Sequence, residues 1–350
     1  MRVDYLIVGA GIAGSVLADH LLKAGKEVMV VDDATKSNSS KVAGGLYNPI
    51  TGRQMVKTWN CDRLFDYLIP YYMGLESELK TSFLFDTPIY RPFFSIEEQN
   101  EWMAKSAENQ YSNYIKEIKS KPEWTNEVSN PYGGLLLSKS GYLDTSVFLE
   151  AFKDKLRRSK KLIESDFHFT QFQKLTEGCS FKGVTAKRII FCDGRLGVDN
   201  PYFSWLPFSL VKGELLFMKS DVSPRVIYNR GVFVIPLGNG FMKCGSTYEH
   251  NELNELPTKK AKDELIQRVE KLINFDFEVI DQKAGVRPAT KDRKPFIGEH
   301  PVEKGIWIFN GLGTKGVSLA PFYAKQLVEH MEDEQPLDAE VNIKRFFSLF

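Results

Sequence analysis

Val3-Asp4-Tyr5-Leu6-Ile7-Val8 runs straight into Gly9-Ala10-Gly11-Ile12-Ala13-Gly14, and after a helical pattern Val28-Met29-Val30-Val31 ends on Asp32. The two apolar runs predict strands. Ala13, Val16, Leu17, Leu21 and Ala24 recur at helical spacing between them, and Gly25 supplies a helix stop. Residues 1–32 therefore read β-α-β. Gly9 allows a tight turn out of the first strand, Gly11 a close backbone approach to a pyrophosphate, and Gly14 the packing of helix on sheet. The pyrophosphate would sit on the unpaired N–H groups of the helix N-terminus, at Ile12 and Ala13. Asp32 falls where a carboxylate would accept from an adenosine ribose, with Asp33 beside it. Glycine turns alone are common; strand, glycines, helix and terminal acid at this spacing point to dinucleotide binding.

Outward from that unit, residues 35–52 are rich in Ser, Gly and Asn and read as a loop whose small residues, Ala43-Gly44-Gly45 among them, would let backbone approach a ligand. Residues 58–125 are dense in aromatics, from Trp59 and Phe65 to Trp124. They read as the core of a second domain, with a few rings lining a substrate pocket as the sharper alternative. An amphipathic helix is expected over 145–158, capped by Asp144 or Thr145. Ala186 to Gly194 reads as a buried strand closing on a turn. Three strand-like runs, Leu215–Phe217, Gly231–Pro236 and Phe241–Tyr248, suggest antiparallel sheet. A charged helix near 258–273, a strand near 276–281, the strand Gly305–Asn310 and a helix from Val317 to about Met331 complete the pattern.

The chain of 350 residues is long enough for two domains, and at 43% hydrophobic it can bury a sizeable core. Forty-six Lys and Arg against forty-five Asp and Glu leave a net charge of +1, a balance that does not point to nucleic acid as the main partner. The run Lys153, Lys155, Arg157, Arg158, Lys160, Lys161 is read as a solvated helix face. Cys61, Cys179, Cys192 and Cys244 show no C-x-x-C spacing, which fits a reduced, cytoplasmic setting. The five histidines are scattered and no metal site is expected. Asp4 interrupts the first apolar stretch, so it does not read as a signal peptide, and no run is long enough to span a membrane.

Two C-terminal blocks sharpen the reading. Gly285-Val286-Arg287-Pro288-Ala289-Thr290-Lys291-Asp292-Arg293-Lys294-Pro295-Phe296-Ile297-Gly298 is followed by Asn310-Gly311-Leu312-Gly313-Thr314-Lys315-Gly316-Val317. With the N-terminal fingerprint they resemble the D-amino-acid oxidase-like flavoenzymes, glycine oxidase especially. Smaller similarities lie at Gly141–Asp144, Cys192-Asp193-Gly194, Lys212-Gly213-Glu214 and Gly245–Glu249.

The resemblance implies noncovalent FAD, bound by Gly9, Gly11, Ile12, Ala13, Gly14, Asp32, Asp33, Ala43, Gly44, Gly45, Phe167, Cys192, Asp193, Gly194, Arg287 and the segment Gly311, Gly313, Thr314, Lys315, Gly316, Val317. A helix N-terminus after Gly313 and Gly316 would place a positive dipole end near the flavin pyrimidine and stabilise charge on a reduced flavin. Asp292 and Lys294 are read as closing a turn before Pro295 rather than as acid and base.

The resemblance gives Arg287, Lys243 and Phe233 as the candidate catalytic residues. Arg287 would clamp a substrate carboxylate with its planar fork; tying loops together before Pro288 is the alternative. Phe233 stands where glycine oxidase has a carboxylate-holding tyrosine, and Thr314 where it has a second arginine, so the pocket is expected to be rebuilt. Lys243 stands where sarcosine oxidases hold a lysine facing the flavin and promoting reaction with oxygen; an exposed strand lysine is the alternative.

The expected fold is α/β, α+β overall, with a Rossmann-like βαβ FAD domain (1–55, 140–205 and 280–350) and a mixed, largely antiparallel sheet domain (56–139 and 206–279). The expected function is oxidation of the C–N bond of a small amine or amino acid by hydride transfer to flavin N5, with oxygen or another electron acceptor reoxidising the flavin. An oxidase of a glycine-like secondary amine on a modified tRNA base, suggested by Gly45-Leu46-Tyr47-Asn48-Pro49, and a non-catalytic flavin-binding electron-transfer subunit are the alternatives.

Overall fold

The structure is a computed structural model that describes residues 1–33, 39–52 and 55–350. It opens as the sequence predicts: strand β1 (Arg2–Val8), helix α1 (Ile12–Lys23) and strand β2 (Val28–Asp32). Val8, Val31 and the apolar face of α1 are buried. β1 pairs in parallel with β2 on one side and with Val184–Phe191 on the other. Leu162–Glu164 extends the parallel sheet beyond β2, and Ile306–Asn310 extends it beyond Val184–Phe191. A parallel sheet buried on both faces needs continuous apolar strands, and the inner ends of these, Tyr5–Val8, Val28–Val31, Ile189–Phe191 and Ile306–Phe309, are such runs. Helix Gly316–Asp333 packs on the same face as α1.

The second sheet has eight strands and is antiparallel except at one pair. Glu278–Arg287, Val211–Lys219, Phe241–Gly245, Phe233–Gly238 and Ile227–Asn229 lie side by side in that order. Ile89–Pro92 then joins Ile227–Asn229 in parallel, followed by Gly134–Leu137 and Ile115–Lys119. The strand expected near 276–281 runs on to Arg287, because its apolar partners on Val211–Lys219 continue. The cut expected at residue 280 falls inside this strand. Helix Lys259–Glu270 covers one face through Leu265 and Val269, and the other faces the first sheet.

Other elements follow their local signals. Asp144, not Thr145, caps helix Thr145–Arg158, accepting from the N–H groups of Ser146 and Val147. Among its described residues the loop expected over 35–52 holds a short helix at Ser39–Val42 and strands at Leu46–Tyr47 and Ile50–Thr51; residues 35–38 lie outside the described residues. The aromatics of 58–125 are chiefly core: helix Cys61–Leu79 buries Phe65 and Tyr72 and packs against Gly316–Asp333. Among the described residues no helix is long and apolar enough to cross a membrane.

Candidate functional site

A cavity of about 1680 Å³ lies between the carboxyl ends of the parallel strands and the second sheet. That exceeds the ~300–1,000 Å³ of a drug-sized pocket. One end is a backbone cradle. Gly9 has a φ of +99°, and a Cβ there would stand 2.5 Å from the Cys192 carbonyl oxygen. A Cβ on Gly14 would overlap the Gly9 carbonyl, so helix and turn meet as the glycine spacing predicts. Gly14 itself packs here and does not line the cavity, whereas Gly9, Gly11, Ile12 and Ala13 do. Helix α1 has no side-chain cap and no acid in its first turn, leaving a positive helix end open to an anion. Ser40 Oγ already accepts from Ile12 N–H at 3.2 Å.

Asp32 lies at the cavity wall with Asp33. Its Oδ1 accepts from Ala10 N–H at 2.8 Å and its Oδ2 from Lys153 Nζ at 2.5 Å. This corrects the solvated-face reading of 153–161. Lys153 is only 2% exposed, because its helix turns that position inward onto Asp32. Lys155 reaches buried Asp19, and Arg157 pairs with Glu150, Asp154 and Glu164. Ala43, Gly44, Gly45, Phe167, Cys192, Asp193 and Gly194 line the same region. Burial pushes the Asp193 carboxyl up to about 6, although Asn200 and Asn310 both donate to it. Thr145 Oγ1 is buried at the wall without a hydrogen-bond partner among the described residues.

Across the cavity, Gly311, Gly313, Thr314, Lys315, Gly316 and Val317 form a turn that enters helix Gly316–Asp333. Gly311 and Gly313 have φ of +75° and +55°. This helix too starts without a side-chain cap or a first-turn acid. Burial lowers the Lys315 ammonium from its usual value.

The substrate-facing side is built on the second sheet. Arg287 ends its strand with its fork over Gly213; Nη2 donates to Ser246 Oγ at 2.8 Å and Nη1 to the Thr247 carbonyl at 3.2 Å. The guanidinium also lies 5.0 Å from the Tyr248 ring centroid. Phe233 lies against Gly44: a Cβ on Gly44 would stand 2.7 Å from the ring's Cζ. The para end of the ring therefore faces the space that the missing Gly44 side chain leaves. Lys243 is neither exposed nor on the cavity wall; it is 6% exposed, with Nζ 3.4 Å from the Ala43 carbonyl. Burial lowers its ammonium from the usual value. Asp292 and Lys294 close the turn before Pro295 as expected: Asp292 accepts from Lys294 N–H, and Lys294 Nζ pairs with Glu340.

Several lining residues carried no sequence signal. Ser39, Ser40 and Thr145 reach the cavity from segments read as loop or cap. Arg91, Asn229, Lys57 and Thr58 line the sheet side, and of the aromatics in 58–125 only Trp59 and Phe94 do so among the described residues.

Two helix ends whose N-cap residues offer no side-chain cap, a glycine cradle no side chain could enter, and the orphaned Thr145 hydroxyl fit a large anionic dinucleotide such as FAD. The chain belongs to a family of FAD-dependent oxidoreductases: the family model "FAD dependent oxidoreductase" matches residues 4–330. Glycine oxidase of Pseudomonas aeruginosa is 24% identical, over 96% of this chain and 97% of that protein. The tRNA 5-methylaminomethyl-2-thiouridine biosynthesis bifunctional protein MnmC of Leptospira interrogans is 25% identical, over 97% of this chain but 59% of that longer protein. In fold, the chain is similar to glycine oxidase from Geobacillus kaustophilus, with a TM-score of 0.78 and 16% identity over 99% of this chain and 98% of that one. Iminodiacetate oxidase from Chelativorans sp. BNC1 gives 0.79 and 17%, over 98% of each chain.

Proposed function

We propose that the protein oxidises the C–N bond of a small amine that carries a carboxylate. The observation that carries this reading is Arg287: a planar fork at the cavity wall, on the sheet facing the cradle, with no ion-pair partner among the described residues. Burial lowers its guanidinium from the usual value, and an incoming carboxylate would compensate that burial.

FAD, noncovalently bound, would supply the two-electron acceptor. The α1 N-terminus, Gly9, Gly11 and Ser40 would hold its pyrophosphate, with Asp32 and Lys153 toward its ribose. The helix end at Gly316, with Lys315, would face the isoalloxazine pyrimidine. Arg287 would fix the substrate carboxylate and so orient the reacting carbon, and Phe233 would wall the pocket without donating a hydrogen bond. Lys243, behind Ala43, would add positive charge beside the reacting region. Molecular oxygen or another acceptor closes the cycle, and peroxide formation tells the two apart.

A cytoplasmic setting is part of the same reading, supported by four buried free cysteines. So is the division into 1–55, 140–205 and 280–350 against 56–139 and 206–279, supported by the partition of strands between two sheets except at its last boundary, which strand Glu278–Arg287 of the second sheet carries past Arg287. An anaerobic titration with glycine, sarcosine, proline and a panel of D-amino acids tests the function. Bleaching of the long-wavelength flavin band by one of them is expected; a flavin that no amine reduces removes the reading.

Gly45–Pro49 and the likeness to the tRNA-modifying protein favour a second reading, a glycine-like secondary amine on a tRNA base. Salt-sensitive retention of total tRNA on a filter would support it.

A further inference from the structure

A second arginine faces the cavity and the amine-oxidase reading leaves it unused. Arg91, on strand Ile89–Pro92, is 5% exposed yet lines the cavity. Its Nη2 donates to the Gly52 carbonyl at 2.7 Å. Among the described residues it has no ion-pair partner. Glu98, the one acid whose field reaches it, accepts from Phe94 N–H. Burial pushes the Arg91 guanidinium down to about 10. The cavity's other nearby carboxylates are taken: Asp292 by Arg345 and Glu255 by Arg195. A buried cation without a counter-charge is costly, and an anion brought into the cavity by a ligand would offset that cost at Arg91.

Its position relative to Arg287 follows from the register. Arg91 continues the cross-sheet row Ile89↔Ile227 by two residues, level with Asn229, which pairs with Phe233, which pairs with Gly245. Residues directly opposite one another share a face, so Arg91, Asn229 and Phe233 point the same way. The Arg287 fork reaches Ser246, one residue past Gly245. Three strand steps separate Phe241–Gly245 from Ile89–Pro92, about 14 Å at ~4.8 Å per step. The Arg91 side chain spans part of that distance. The two forks thus bracket Phe233 and Asn229 at a separation suited to one small molecule with an anion at each end.

We propose, resting on the amine-oxidase reading, that the substrate is a dianion: an amino acid whose amine or side chain bears a second anionic group, held by Arg91 while Arg287 holds the α-carboxylate. Specificity for that second group is a property of Arg91, with Asn229 beside it.

The test compares kcat/KM on the FAD-loaded enzyme for sarcosine, N-(2-carboxyethyl)glycine and N-(2-phosphonoethyl)glycine, which share one reacting centre. The wild type is expected to prefer a dianion over sarcosine by 30-fold or more, and the two dianions distinguish carboxylate from phosphonate. Arg91→Gln is expected to lower kcat/KM for the preferred dianion at least 30-fold more than for sarcosine, through KM. Arg91→Lys is expected to fall between. No preference in the wild type, or a preference that survives Arg91→Gln, overturns the proposal. If no amine reduces the flavin, the amine-oxidase reading fails by itself, and glutarate then probes the two arginines. A glutarate-induced shift of the flavin spectrum, at least 10-fold weaker in Arg91→Gln, sustains a dianion site; an equal response in both proteins removes it. If Arg91→Gln does not fold, the wild-type preference and Arg91→Lys decide.

Discussion

Gly213 lies directly beneath the Arg287 guanidinium, so closely that a Cβ on residue 213 would overlap Nη2 and Cζ. The fork can lie flat toward Ser246 only because its neighbouring strand offers no side chain there. Gly213→Ala is therefore expected to displace Arg287 while leaving the cradle intact. A carboxylate–arginine contact is worth up to ~3 kcal/mol, about a hundredfold in kcat/KM. The expected result is a normal flavin content with KM for the amino acid raised on that order. Unchanged kinetics would remove Arg287 from substrate binding.

Phe233 and Gly44 set a second constraint. Because the ring's Cζ faces Gly44, Phe233→Tyr adds a hydroxyl on the side of the ring that packs against the 43–45 segment. The 43–45 segment is expected to shift, and FAD affinity to fall by about tenfold, roughly 1.4 kcal/mol. Gly44→Ala is expected to act the same way. Flavin fluorescence titration of the apoprotein measures both; full affinity in both variants would mean the segment yields freely.

Lys153 and Asp32 form a buried pair. Breaking such a pair from one side costs about 3–5 kcal/mol. Lys153→Met is expected to lower stability by that order in urea unfolding, and to weaken FAD binding by freeing Asp32 from its place. Adding Asp32→Asn to the variant is expected to recover part of the loss. Strict additivity of the two changes would argue that the pair does not couple.

Asp193 gives a pH signature. Its folded value, raised to about 6 against 3.8 for the free carboxyl, means the folded state holds its proton longer than the unfolded chain. Stability from this group is thus present below pH ~4 and declines as pH rises through ~6, by about 3 kcal/mol in all. Apoprotein unfolding across pH 4–7 should show the decline, and Asp193→Asn should flatten it. A slope identical in both proteins would place the titration elsewhere.

What was legible in the sequence was local. Gly9, Gly14 and Asp32 announce their roles because strand, turn and helix are contiguous, and Gly311–Val317 does the same at the second helix end. Lys153 was misread because its partner lies 121 residues away. Helical spacing places it among Lys155 and Arg157 without saying which face turns inward. Arg91 and Asn229 lacked any pattern, since their common direction depends on a parallel pairing between strands far apart in sequence. The absence of a tyrosine at 233 was visible, but the approach of Gly44 to that ring belongs to the packing of the 43–45 segment on the second sheet. Helix Cys61–Leu79 carries an interior proline, Pro70, and its aromatic surface serves the core rather than the cavity.

The order of strands in the first sheet bears on how the molecule is made. β1 pairs with Val184–Phe191, and that strand pairs with Ile306–Asn310, just ahead of the second uncapped helix end. A ribosome must therefore release the chain well past Asn310 before both halves of the cradle exist. Until then the edge of Val184–Phe191 that takes Ile306–Asn310 stays open, and only a contact long in sequence closes it. Capture of a dinucleotide on this cradle is therefore expected late, and substitutions near residues 310–317 should act on the yield of folded protein as well as on its chemistry.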